Sequence, residues 1–347
     1  MTACAYIHPP FLPTIISDLV VTRVDTGSLT PTNIFTGPPP SAIASLARKT
    51  FVLGDLPIVL AFSGNVRGIR EIIKGLGPEL NMIDASRPMR AIGDMINSFI
   101  CKYNLPISAI GFAPTNPNVN VLKGFWNDTF DTQHFNESVV CGTGSAWLKS
   151  QIKFADQSLG EWKQDVSPEG MREVVRLIGT IGMINSKAIF QPHTLQGDSS
   201  FGGYFELTTL ENYKSISKRP SWAHVGYSNQ VSETEFNFWT IPKQVSYYPD
   251  CRVVVTRLIE KYGSQVKIWP IESLHIGTDS PSESFPAPPD GVPDCVTVFI
   301  DFPHIKKCLH RTLTSSEKQQ SVTCVDGIFH VSLDFISELS AEFLTSL

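Results

Sequence analysis

Long hydrophobic runs are missing from this chain. No apolar stretch reaches about 18 residues, so no transmembrane helix is expected. The opening residues lack a basic segment and are broken by Pro9, Pro10 and Pro13, so no signal peptide is expected. Basic clusters are scarce as well, the best being the short Lys214–Arg219. With 28 Lys+Arg against 33 Asp+Glu the net charge is −5. That balance excludes a nucleic-acid-coating protein and gives no pull toward anionic membranes.

Several catalytic signatures are absent too. No G-x-S-x-G elbow occurs. Val139-Val140-Cys141-Gly142-Thr143-Gly144-Ser145 resembles a strand-to-helix dinucleotide turn, yet it lacks the third glycine and a later acidic partner. The seven cysteines are an odd number at spacings that match no metal motif, and His8, His193 and His304 lack partner spacing. Several cysteines sit in apolar runs, as in Cys295-Val296-Thr297-Val298, where a buried thiol is the ordinary outcome. A reducing, cytoplasmic setting is therefore expected, with no metal and no cofactor.

The 347 residues are 42% hydrophobic, enough for one large or two ordinary domains. Strands are expected at 2–8, 14–22, 50–53, 58–62, 107–112, 121–126, 138–141 and 203–210. Val66, Ile69, Ile72, Ile73 and Leu76 share one helical face, and so do Met89, Ile92, Met95, Ile96, Phe99 and Tyr103. Two more helices are expected at 146–154 and 168–189. Asp25–Ser41 is a polar Pro/Gly-rich loop. This order of strands, helix pair, strands, helix pair, strands fits an α+β, four-layer α-β-β-α sandwich better than parallel βαβ alternation.

Residues 1–245 would form that domain, and 246–347 a C-terminal α/β extension with a Ser/Pro-rich linker at 278–294. In the extension, 252–262 reads as a helix and 266–276 as extended. A strand at 295–300, a hairpin about Asp326-Gly327 and a last helix at 335–344 follow.

Thr2 follows Met1 and is small enough for Met1 to be trimmed. A threonine at a free N-terminus carries a hydroxyl nucleophile and its own base, an α-amine with a reference pKa of about 7.7–8.0. An ammonium close to that amine would lower its pKa by like-charge repulsion, and Lys49 is the candidate. Asp18, sixteen residues after Thr2, could hold the Lys49 head group.

Together with these residues, the order of motifs over residues 2–210 resembles the proteasome-type threonine proteases, within the N-terminal-nucleophile hydrolases. The spacing of Thr2 and Asp18 matches that family. Thr22 stands where the family pairs its backbone with substrate. Ala61-Phe62-Ser63-Gly64-Asn65 takes the place of an Ala-Gly-Gly-like turn, Gly142-Thr143-Gly144-Ser145 of a Gly-Ser-Gly helix entry, and Asp198-Ser199-Ser200-Phe201-Gly202-Gly203 of Asp-x-x-Ser-Gly-Gly. The resemblance implies Thr2, Asp18, Lys49, Thr143, Asp198 and Ser200 as the catalytic set. It implies Thr22, Phe62 and Gly64 as substrate-binding residues, with the Gly64 N–H as oxyanion donor.

It further implies a peptide or protein substrate, a homo-oligomer and an ATPase unfoldase as partner. Three departures stand out: Lys49 lies 47 residues after Thr2, further than in the family; Phe201 replaces a serine; Thr143 replaces another while keeping the hydroxyl. The alternative is a non-catalytic, proteasome-like scaffold subunit in which Thr2 stays blocked.

Overall fold

Side chains alternate across an extended segment, and the opening strand shows what that alternation builds. Ala3, Ala5 and Ile7 enter one buried cluster, Cys4 and Tyr6 another. The computed structural model describes residues 3–9, 12–22, 43–53, 58–81, 89–102, 107–115, 118–123, 127–161, 167–185, 205–211, 215–216, 220–231, 236–237, 243–249, 253–260, 263–272, 291–325 and 328–347. Its contacts divide the chain into two units, Met1–Lys218 with Ile271–Ser282, and Arg219–Pro270 with Glu283–Leu347.

The first unit runs β1 (Cys4–Ile7), β2 (Thr14–Asp18), β3 (Val20–Thr22), β4 (Ile43–Ala47), β5 (Thr50–Leu53), β6 (Ile58–Gly64), α1 (Val66–Asn81), α2 (Met89–Lys102), β7 (Ile107–Thr115), β8 (Asn118–Lys123), β9 (Asn127–Thr132), β10 (Asn136–Cys141), α3 (Ser145–Glu161), α4 (Pro168–Asn185), β11 (Phe205–Glu211) and β12 (Ser215–Ile216). One sheet has the order β12-β11-β2-β1-β10-β9 and another β5-β6-β7-β8. Their ladders are antiparallel, with Cys4 opposite both Ser17 and Cys141.

Three clusters hold this unit. Ile16, Val140 and Phe205 pack with Leu148, Ile152, Val174 and Ile178 of α3 and α4. Phe51, Leu60 and Phe62 pack with Ile69, Ile72, Leu76, Ile92 and Ile96 of α1 and α2. The remaining faces of the two sheets meet through Tyr6, Ile15 and Val139 on one side and Val59, Ala61 and Phe112 on the other. Each such side chain contributes roughly 1.5–3 kcal/mol by leaving water, so helix placement follows from these apolar faces. Gly111 is required by a close approach: a Cβ there would lie 2.3 Å from the Val59 carbonyl oxygen.

The second unit holds β13 (Trp222–Ser228), β14 (Gln230–Val231), β15 (Phe236–Asn237), β16 (Lys243–Tyr248), β17 (Val253–Glu260), most of β18 (Gly263–Glu272), β19 (Cys295–Phe302), a 3-10 turn (Pro303–Ile305), β20 (Lys307–Thr312), α5 (Ser315–Ser321), β21 (Val322–Val325), β22 (Ile328–Val331) and α6 (Leu333–Thr345). Its main sheet runs β20-β19-β13-β16-β17-β18, antiparallel except for the parallel β13–β19 pair. α6 buries Ile336 and Leu339 against Val225, Val298 and Ile300. A capping box between Thr314 and Glu317 starts α5.

One expectation is corrected here. Residues 253–260 form a strand and not a helix, because the β-branched run Val253-Val254-Val255-Thr256 favours extended backbone and pairs with β16 and β18. Residue 245 lies within β16, which pairs with β13 and β17 in the second unit. Among smaller differences, α3 continues to Glu161 and β8 occupies 118–123. Most of the expected 278–294 linker lies outside the described residues. Among the described residues no helix is long and apolar enough to cross a membrane.

Candidate functional site

β2 ends at Asp18, flanked by β1 and β11. Its backbone N–H donates to the Ala3 carbonyl (3.0 Å), and its side-chain Oδ1 accepts the Ala3 N–H (2.9 Å). Lys49 lies just before β5, where its carbonyl accepts the Phe62 N–H (3.1 Å) and extends the β5–β6 ladder by one residue. From there its Nζ donates to the same Asp18 Oδ1 at 2.6 Å. Asp18 is fully buried and Lys49 is 4% exposed. One carboxylate oxygen thus receives both the ammonium and the backbone of the residue that follows Thr2. Charge-assisted bonds of this length are the strong ones, and burial shields them from salt.

The segment around Lys49 is tied at several neighbouring positions. The Ala47 N–H donates to the Leu19 carbonyl (2.8 Å). Arg48 Nε lies 2.9 Å from Glu206 Oε1, and Thr50 Oγ1 and Ser17 Oγ share a hydrogen bond of 2.7 Å. Sequence reasoning missed Glu206, Ser17, Thr50 and Arg48. The available signal was an acid in the strand Phe205-Glu206-Leu207, at a position whose neighbours Thr208 and Leu210 on the same face are buried.

The other expected residues fall as follows. Gly64 closes β6 opposite Ile107 with φ of +123°, a conformation that favours glycine, and it is exposed. Asn65 then caps α1 by accepting the Gly68 N–H at 3.0 Å. Thr143 is exposed in the turn between β10 and α3, where Gly142 has φ of +90°. Because Cys141 pairs with Cys4, this turn leaves the sheet beside the start of β1. Thr22 ends β3 opposite Ile43, at a register irregularity. Phe62 is fully buried with its ring 5.9 Å from that of Phe51, in the cluster with α1 and α2. Its side chain belongs to the core, leaving only its backbone beside the site. Thr2, Asp198, Ser200 and Phe201 lie outside the described residues.

Cys4 and Cys141 flank the site as buried thiols. Burial pushes the Cys4 thiol well above its ordinary value, and its hydrogen bond with Cys141 pushes the same way. Cys4 is therefore a poor nucleophile. Among the described residues no group of His, Cys, Asp and Glu could hold a metal ion.

Similar solved structures include eukaryotic HslV from Trypanosoma brucei, at 12% identity and a TM-score of 0.35, covering 60% of this chain and 99% of that one. Anbu, the ancestral beta-subunit, from Yersinia bercovieri matches at 12% identity and a TM-score of 0.39, covering 61% and 83%. The Anbu Gly-1 mutant from Hyphomicrobium sp. strain MC1 matches at 11% identity and a TM-score of 0.38, covering 63% and 86%. No family model and no curated protein matches the sequence.

Proposed function

We propose that this chain is an N-terminal threonine hydrolase that cleaves peptide or amide bonds with Thr2 as nucleophile once Met1 is removed. The observation that carries the reading is the buried Asp18 carboxylate, which holds Lys49 and the Ala3 N–H on a single oxygen. Ala3 is bonded to Thr2, so the free amine of a trimmed chain begins one residue from an ammonium–carboxylate pair. In this reading Lys49 keeps the Thr2 amine unprotonated near neutral pH. The amine takes the proton as Thr2 Oγ1 attacks the scissile carbonyl. The tetrahedral oxyanion receives the Gly64 N–H. Collapse breaks the C–N bond, the amine proton passes to the leaving nitrogen, and water then cleaves the Thr2 ester.

Thr143, Asp198 and Ser200 would orient the amine and that water, and Thr22 and Gly64 would pair with an extended substrate by strand addition. Antiparallel sheets meeting at one cluster, with a helix pair on each outer face, support an α-β-β-α layering for the first unit. A homo-oligomer, an ATPase partner and a cytoplasmic setting belong to the same proposal.

N-terminal sequencing combined with hydrolysis of fluorogenic peptides tests it. The native chain should begin at Thr2, and Thr2→Ala should lose turnover by at least about 10²-fold while keeping its fold. A retained Met1, a capped Thr2 or undiminished turnover by the variant would favour the non-catalytic scaffold instead. The sealed Asp18–Lys49 pair would also suit a scaffold, since it knits β2 to the start of β5 whatever the chemistry.

A further inference from the structure

We propose that Glu206 and Arg48 are positioning residues that hold Lys49 on Asp18; this rests on the function proposed above. Glu206 stands opposite Ser17 in the β2–β11 ladder, and Phe205 stands opposite Asp18. Side chains alternate along a strand, so these two acids on adjacent strands leave the sheet on opposite faces, one register step apart. Two consecutive cations meet them, Arg48 at Glu206 (2.9 Å) and Lys49 at Asp18 (2.6 Å). Both carboxylates are fully buried. Ser17 and Thr50 join between the two pairs, and the Ala47 N–H adds a backbone tie to Leu19. Each of the four residues 47–50 thus has its own partner on residues 17–19 or 206, which prevents the segment from sliding or rotating.

A buried carboxylate needs a counter-ion. If Arg48 did not occupy Glu206, that acid would compete for the ammonium bonded next in sequence, Lys49. The Arg48 guanidinium stands beside Glu206 as its counter-charge, and leaves the Lys49 ammonium for Asp18. The two ion pairs work as one partition of charge: each cation has its acid, and only Lys49 is directed toward the chain start.

The test uses the full-length chain. Glu206→Gln keeps the side-chain shape and removes its charge. Its kcat on a fluorogenic peptide should fall at least about tenfold, with KM within about threefold. In a Lys49→Ala background the same change should add less than about twofold, because both act through one group. Arg48→Lys, which keeps a cation, should lose less than Glu206→Gln, and it serves as the second variant where Glu206→Gln does not fold.

A readout independent of turnover is the water exchange of the Lys49 ammonium protons, followed by NMR on protein with nitrogen-labelled lysine. It should quicken at least about tenfold in Glu206→Gln as the ammonium loses its fixed seat. Multiplicative losses in the double variant, or unchanged exchange, would overturn the proposal. An inactive native chain would count against the hydrolase reading alone, because the exchange measurement still decides whether Glu206 holds Lys49.

Discussion

Replacing Asp18 by asparagine isolates the charge of the buried pair. Asn keeps an oxygen for the Ala3 N–H, so the 2.9 Å backbone contact can survive. What disappears is the counter-charge 2.6 Å from Lys49, a side chain with 4% exposure that cannot turn out to water without opening the corner. Breaking a buried pair by removing one partner costs about 3–5 kcal/mol.

The expected loss for Asp18→Asn is therefore about 3–5 kcal/mol. Lys49→Met should cost a similar amount, because it strands the carboxylate. The double variant Asp18→Asn/Lys49→Met leaves no buried charge at this position and should return to within about 1–2 kcal/mol of the native chain. Urea denaturation followed by circular dichroism measures all three. A cost below about 1 kcal/mol for Asp18→Asn, or a double variant as unstable as the two losses added together, would refute the view that this pair is sealed and mutually dependent.

Two further outcomes concern the histidines and the thiols. Burial holds His310 down at about 4 and lowers His224 well below its usual value, with His310 adding to the effect. In the unfolded chain both take protons below about pH 6.5, so stability should decline as pH falls from about 6.5 to about 4, by about 3 kcal/mol from His310 alone and further through His224. Trp222 stacks on His224 at 5.3 Å and should report this by fluorescence in urea melts; flat stability, or a His310→Gln variant with an equal decline, would contradict it. Among the thiols, Cys101 and Cys308 are exposed while Cys4 and Cys141 are sealed. Iodoacetamide followed by mass spectrometry should modify Cys101 first and reach Cys4 and Cys141 only on unfolding, and native-state labelling of Cys4 at a comparable rate would be the contrary result.

Much of the first unit is legible from periodicity. Ile69, Ile72, Ile73 and Leu76, and likewise Ile92 and Ile96, stand at helical spacing and all are buried. Local spacing fails where two periods compete. Val253–Glu260 offers apolar residues at positions that suit a helix, yet its β-branched start and its two neighbouring strands decide for a strand. The approach of Asp18 to Lys49 is legible from the need of an ammonium near Thr2 for a carboxylate and from the spacing of Asp18. The Glu206–Arg48 pair was not, because a contact across some 158 residues leaves no local trace. The placement of Phe62 in the core follows from alternation along β6, where Phe62 and Leu60 share the face toward α1 and α2. Motif position alone had put it at the site.

The parallel rung that joins Ile271 and Glu272 to Leu46 and Ala47 has a consequence for biosynthesis. The partner of β4 leaves the ribosome more than two hundred residues after β4 itself. Until then that edge of the β3–β4 hairpin lacks this rung, and closing so long a loop slows its completion. A polypeptide ending at residue 245 would emerge without this rung, its β4 edge open to other strands.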